Sequence, residues 1–153
     1  MKTLKTGMLA AMLLASLTLG TGTLAPVYPV KASTKDIECL AKNIYHESRG
    51  EPLHGQIAVA LVTVNRVNSG LFHNNICGVV YAHRQFSWTL DKTKRVRDTK
   101  AWQTAQEVSR AVLTQTIALP NFTATHFHTK QVKPQWAKTK TRVAVIGNHI
   151  FYS

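Results

Sequence analysis

Residues 33–52 read Ser33-Thr-Lys-Asp-Ile-Glu-Cys-Leu-Ala-Lys-Asn-Ile-Tyr-His-Glu-Ser-Arg-Gly-Glu-Pro52, and this stretch decides the fold. Ser33 is placed to cap a helix, with Asp36 three residues on and Glu38 in the first turn. Ile37, Leu40, Ala41, Ile44 and Tyr45 then recur at helical spacing. Gly50 and Pro52 stop the helix. The same spacing brings Glu47 onto or beside the apolar face, three residues after Ile44 and seven after Leu40. A carboxylate in that position is either paired with a cation, Arg49 or Arg66 being the candidates, or placed for chemistry. Burial beside apolar groups raises a carboxyl pKa, as a general acid near neutral pH requires.

Working outward, a second helix is predicted from Gly55 to Asn68, with Ile57, Ala60, Leu61, Val64 and Val67 as its apolar face and Ser69-Gly70 closing it. A short helix is expected over 75–82, carrying Cys77, Val80 and Tyr81. Asp91 to Lys100 holds Lys92, Lys94, Arg95, Arg97 and Lys100 and reads as a basic loop. Asp98 caps a further helix that uses Trp102, Ala105, Val108, Val112 and Leu113. The C-terminal third changes character. Residues 123–129 and 142–146 are β-like, and Gly147-Asn148 before His149-Ile-Phe-Tyr152 has the form of a hairpin turn. Helices followed by a small sheet make an α+β domain.

The chain has 153 residues, which suggests one domain, and 44% hydrophobic content argues against disorder. Lys2 and Lys5 precede an apolar run from Met8 to Leu19, which reads as a secretory signal within residues 1–32 and places the working domain at 33–153. The run is short for a membrane span, so no stable span is expected, with an uncleaved N-terminal anchor as the alternative. Without Lys2, Lys5 and Lys31, 16 basic residues face 7 acids, a net +9. A cationic exported protein, periplasmic or extracellular, should meet an anionic partner such as a cell-wall polymer, anionic lipid or nucleic acid. Cys39 and Cys77 fit one disulfide in such a compartment, tying the short helix to the first; two free buried thiols are the alternative.

The acids are few: Asp36, Glu38, Glu47, Glu51, Asp91, Asp98 and Glu107. Glu47 and Glu51 are four apart. On an unbroken helix they would face the same way and suggest a glycosidase pair. Gly50 and Pro52 interrupt that geometry, and capping or bracing the loop is the alternative role for Glu51.

Several linked segments point to one family. Asn43-Ile-Tyr-His-Glu-Ser-Arg-Gly-Glu51, Gly55-Gln-Ile-Ala-Val-Ala60 and Val64-Asn-Arg-Val67 come first; Asn75-Ile-Cys-Gly-Val-Val-Tyr81, Gln85-Phe-Ser-Trp88 and Ile146-Gly-Asn-His-Ile-Phe-Tyr152 follow in order. Together they resemble the SleB-type cell wall hydrolases, peptidoglycan-cleaving enzymes whose better-understood members are lytic transglycosylases of spore germination. The resemblance implies a lysozyme-like helical core with a small antiparallel sheet. It also implies cleavage between N-acetylmuramic acid and N-acetylglucosamine to 1,6-anhydro products, with no cofactor. The family's Tyr-Gly-Glu-Ala-Arg-Gly-Glu motif puts its catalytic glutamate on Glu47. His46 and Ser48 depart from that motif, and a germination role does not carry over.

Around Glu47, Gln56, Gln85, Ser87 and Trp88 are candidates for holding sugars, Trp88 as an aromatic platform. Glu51, Asn65 and Arg66 are candidates for bracing the acid. A hydrolytic muramidase is the alternative outcome. A non-catalytic cationic wall-binding module is the alternative class. His126, His128 and His149 invite a zinc reading, but no His-Glu-x-x-His motif is present and no metal is expected. The partner expected is the peptidoglycan strand rather than nucleic acid, and the protein is expected to act as a monomer.

Overall fold

The computed structural model describes residues 32–153; the leader expected over residues 1–32 lies, but for Ala32, outside the described residues. Four helices come first: α1 (Thr34–Ser48), α2 (Leu53–Ser69), α3 (Ile76–Val80) and α4 (Thr99–Leu113). Three strands follow, β1 (His126–Thr129), β2 (Arg142–Ile146) and β3 (His149–Tyr152), with short 3₁₀ turns at Ser87–Thr89 and Gln135–Thr139. The sheet is antiparallel in the order β1-β3-β2, pairing Phe127 with Phe151 and Ile146 with His149. The expected α+β class, a helical core with a small antiparallel sheet, is the one the chain adopts. No described helix is long and apolar enough to cross a membrane.

The element boundaries follow local chemistry. The Ser33 hydroxyl accepts from Asp36 N while the Asp36 carboxylate accepts from Ser33 N, a reciprocal capping box. Asn75 and Asp98 cap α3 and α4 by accepting from Gly78 N and Ala101 N. Gly70 ends α2 in the left-handed region at φ 69°, where glycine has no steric penalty. α2 begins at Leu53, two residues before the expected start, with no side-chain cap at Pro52.

α2 also departs from the expected one-sided burial. Ile57 and Ala60 face α1, α3 and α4, together with Leu40, Ile44, Ile76 and Val108. Ala58, Val59 and Val62 are fully buried on its other side, against Ala124 and Phe151 of the sheet layer. Leu61, Val64 and Val67 are only half-buried. A helix sandwiched between two layers is apolar nearly all round, so a single-stripe reading finds only part of its core. Ser109 Oγ donates to Ile37 O at 2.8 Å, joining α4 to α1. Cys39 and Cys77 form a disulfide with Cα atoms 5.3 Å apart, which fastens α3 to α1 as expected.

Candidate active site

Glu47 lies in the last turn of α1, one residue before the helix ends. Leu40 and Ile44, on the same face, are fully buried. The side chain therefore leaves the core at its margin and enters a groove. One hollow of about 450 Å³ has Glu47, Arg66, Gln85 and Ser87 in its wall, with His126, Phe127 and Trp136 from the sheet side. A second, of about 340 Å³, shares Glu47 and Ser87 and continues past His46 and Trp88 to Asp91, Lys94 and Arg95. Glu47 thus stands where the two halves of one groove meet.

Among the described residues, the Glu47 carboxyl makes no hydrogen bond and no ion pair within 4.0 Å. Burial raises its pKa from 4.5 to about 6, opposed by the positive charge of Arg66. The salt bridge to Arg49 or Arg66, the alternative to a placement for chemistry, does not form. The Arg49 guanidinium donates to Tyr45 O at 3.3 Å and lies over the Tyr45 ring. Arg66 donates from Nε to Thr125 O at 2.6 Å and rests over Phe72 and Phe86. Its Nη1 is buried without a partner. Arg66 acts on Glu47 as a nearby charge within the same hollow, so the carboxyl is partly desolvated yet can reach a carboxylate-stabilising cation after losing its proton. Such a group is able to act in turn as acid and base near neutral pH.

Gln85 and Ser87 line the groove as expected, and so does Trp88. Trp88 is a fixed platform: Nε1 donates to the buried Asn43 Oδ1 at 3.2 Å, and the indole stacks on His46 with centroids 4.5 Å apart. Gln56 is elsewhere, donating from Nε2 to Glu51 O at 3.1 Å at the start of α2. Asn65 donates to Phe122 O and Ala124 O, both 3.0 Å, so it braces the segment before β1 instead of Glu47. Glu51 accepts from Asn148 N at 2.7 Å and lies 3.8 Å from His149 Nδ1, holding the β2–β3 turn. Gly147 at φ 56° sits against it, and a Cβ there would collide with Glu51 Oε2.

The three histidines of the zinc reading are engaged separately. His126 Nδ1 pairs with Thr125 Oγ1 at 2.8 Å, while His128 Nε2 pairs with Tyr152 Oη at 3.1 Å. His149 is buried beside Glu51. His126 belongs to the groove, and burial, with Lys140 and Arg66 adding to it, lowers its pKa to about 4, leaving a neutral ring there.

Four groove residues carried no site signal in the sequence. Phe86 and Arg84 flank Gln85, and Arg84 adopts the left-handed φ of 58°, unusual for a non-glycine. Phe127 and Trp136 come from the C-terminal third, with Trp136 packed on His126, His128 and Tyr152.

The Cell Wall Hydrolase family matches residues 50–152. The chain is 33% identical over 133 residues to a spore cortex-lytic enzyme of Oceanobacillus iheyensis; the match covers 85% of this chain and 46% of that protein. The chain therefore spans under half the length of that relative. Among solved structures, the catalytic domain of the SleB protein of Bacillus cereus is 30% identical with TM-score 0.65, over 86% of this chain and 100% of that one. The catalytic domain of the germination-specific lytic transglycosylase SleB from Bacillus anthracis is 31% identical with TM-score 0.66, over 82% of this chain and 99% of that one. The family match begins just after Glu47, but a match over 85% of the chain leaves too few residues uncovered to start beyond it.

Proposed function

The chain belongs to the cell wall hydrolase family, and from that premise we propose that it cuts peptidoglycan glycan strands between N-acetylmuramic acid and N-acetylglucosamine as a lytic transglycosylase, with Glu47 as acid and then base. The single observation that carries this reading is a half-buried carboxyl, unpaired among the described residues, where the two halves of a groove meet. A chain-cutting enzyme needs its acid inside the substrate track, with sugars bound to either side.

In the proposed reaction the glycosidic oxygen takes the proton from Glu47 as the bond to the anomeric carbon of the muramic acid breaks. The developing positive charge is met by the sugar's own N-acetyl oxygen, a substrate-assisted route that dispenses with a second carboxylate. Glu47, now a carboxylate near Arg66, removes the proton from the C6 hydroxyl of the same sugar. The C6 oxygen bonds to the anomeric carbon, and a 1,6-anhydro end forms without water being consumed. Arg66 would steady the charged form of Glu47 between the two steps. Gln85, Ser87 and Trp88 would hold the sugars, Trp88 by stacking against an apolar sugar face.

The action proposed is at the cell wall by an exported, monomeric chain, without a cofactor. Asp91 is the other carboxylate of the groove, but it is fully exposed and its Oδ1 accepts from Thr93 N and Thr93 Oγ1. The test is digestion of purified peptidoglycan with mass analysis of the fragments, for the wild type and Glu47→Gln. Anhydro ends in the wild type and none in the variant are expected. Fragments heavier by one water would make the enzyme a hydrolytic muramidase, and undiminished cleavage by the variant would remove Glu47 from the mechanism.

A further inference from the structure

The basic stretch after Trp88 packs back on α1 and borders the groove beyond Trp88. Backbone N–H groups of Arg97 and Asp98 both donate to Tyr45 Oη at 3.0 Å, so a core tyrosine anchors the loop. Beyond Trp88 the groove opens into a third hollow of about 470 Å³, bounded by Lys42, Tyr81, Lys94 and Arg95 among others. Lys94 and Arg95 line both this hollow and the one that reaches Glu47. Cations are thus carried along a continuous path to the acid.

These charges have few internal partners. Among the described residues only Lys42 is in an ion pair, with Glu38 at 2.7 Å; Arg49, Lys94 and Arg95 are in none. The nearest acid along the wall, Asp91, is taken up by Thr93. His46 lies at the centre of the set. Burial first, then the charges of Arg49, Lys94 and Lys42, hold its imidazole below the ordinary value, so the ring stays neutral while cations surround it.

Building on the glycan-cutting reading above, we propose that Lys94 and Arg95 form a carboxylate subsite for the peptide stem borne by the muramic acid near the cut, making stem-bearing strands the preferred substrate. The sugars of the strand are uncharged along the backbone. The regular anionic groups of the repeat are the carboxylates of the stem amino acids, hung from the lactyl ether on every second sugar. A cationic wall one aromatic platform away from the acid matches that layout. Arg95 offers a planar fork for a carboxylate and Lys94 a point charge beside it. Phosphate polymers attached to the wall carry the other anionic group that such a pair would accept, and the test separates the two.

Soluble strands are compared in three forms: uncrosslinked with stems retained, freed of stems by an amidase with the lactyl carboxylates so exposed capped as amides, and stem-bearing but freed of phosphate polymer by hydrofluoric acid. For the wild type, cleavage of stem-bearing strands should exceed that of stem-free strands by about five- to tenfold, carried in KM, as two solvent-exposed ion pairs would give. In the double variant Lys94→Ala/Arg95→Ala the ratio should fall toward one. Removing phosphate should leave the wild-type ratio unchanged. Equal rates on both strand types, or a double variant slowed by the same factor on both, overturns the subsite. Loss of the preference on removing phosphate assigns the pair to that polymer and overturns it too. Binding of Glu47→Gln to soluble stem-bearing and stem-free strands, measured by calorimetry, separates this proposal from the reaction itself. If the wild type cuts no strand, the glycan-cutting reading falls, while stem-dependent binding abolished by the double change keeps the subsite; binding indifferent to stems overturns it.

Discussion

Glu47 and Glu51 are the same residue type four positions apart, and the fold gives them opposite fates. Glu47 sits in the last turn of α1 with no hydrogen-bond or ion-pair partner among the described residues and a pKa raised to about 6. Glu51 follows the break at Gly50, swings to the sheet and accepts a 2.7 Å hydrogen bond from Asn148 N beside His149. One carboxyl is held ready to exchange a proton and the other is fully used in holding a turn. The difference is not propensity or charge but the partners within reach once the helix is broken. Desolvation without a partner favours the neutral acid of Glu47, whereas Glu51 has its oxygen committed to a backbone N–H.

Breaking the pair from the Glu47 side should give the largest effect. Glu47→Gln keeps the size of the side chain and removes the proton, so lysis of purified walls should fall by about a thousandfold or more. The thermal midpoint should not fall. Loss of activity together with loss of fold would mean that Glu47 is structural after all.

Breaking it from the other side should reverse the pattern. Glu51→Ala leaves Asn148 N without its acceptor and should cost about 1.5–3 kcal/mol of stability, read by urea unfolding. Turnover per folded molecule should stay within about threefold, since the groove is untouched. Gly147→Ala tests the same joint from the turn. It requires φ 56° and drives a Cβ into Glu51 Oε2, so it should destabilise by about 1–3 kcal/mol. Should Glu51→Ala lose activity while remaining fully folded, the separation between the two glutamates would collapse.

The first half of this comparison was legible in the sequence and the second was not. Ser33 with Asp36, Asp98 and Gly70 are local signals, and each marks the helix end it was read to mark; Asn75, read as the first residue of the short helix, is its cap. Glu47 could be put at the margin of the core because Leu40 and Ile44 fix the helix face within one turn. Glu51 was legible only as a brace of something, because Asn148 is nearly a hundred residues away. The same range limit applies to Asn65, whose amide goes to Phe122 and Ala124, and to Phe127 and Trp136, which enter the groove only when the sheet folds over α2. α2 was misread for the complementary reason. Helical periodicity assumes one buried face, and Ala58, Val59 and Val62 exist to serve a second.

Arg66 sharpens the comparison more gently. Its charge opposes the desolvation of Glu47, so Arg66→Met should move the alkaline limb of the pH–rate profile to higher pH while slowing the reaction about tenfold. Arg66→Lys should return the limb toward the wild-type position, even though the bond from Arg66 Nε to Thr125 O is lost. A limb that does not move in Arg66→Met would show that the two side chains do not share charge in solution.

The smallest effect is in stability and has a definite sign. The folded pKa of Glu47, about 6, lies above its ordinary 4.5. Between those values the folded chain binds more protons than the unfolded one, so stability declines as pH rises through the window. Below 4.5 the carboxyl is protonated in both states and the cost vanishes; above about 6 it is fully present. A neutral amide escapes that cost. Glu47→Gln should therefore be more stable than wild type at pH 7, by up to about 2 kcal/mol for a shift of this size, with the gap closing below pH 4.5. Glu51→Gln should show no such gain, because the amide puts an N–H donor where one of the two carboxylate oxygens faces Asn148 N and His149. Parallel urea titrations of the two variants at pH 4 and pH 7 would then show a stability gain for one glutamine and a loss for the other, the expected signature of an acid held against its own folding preference.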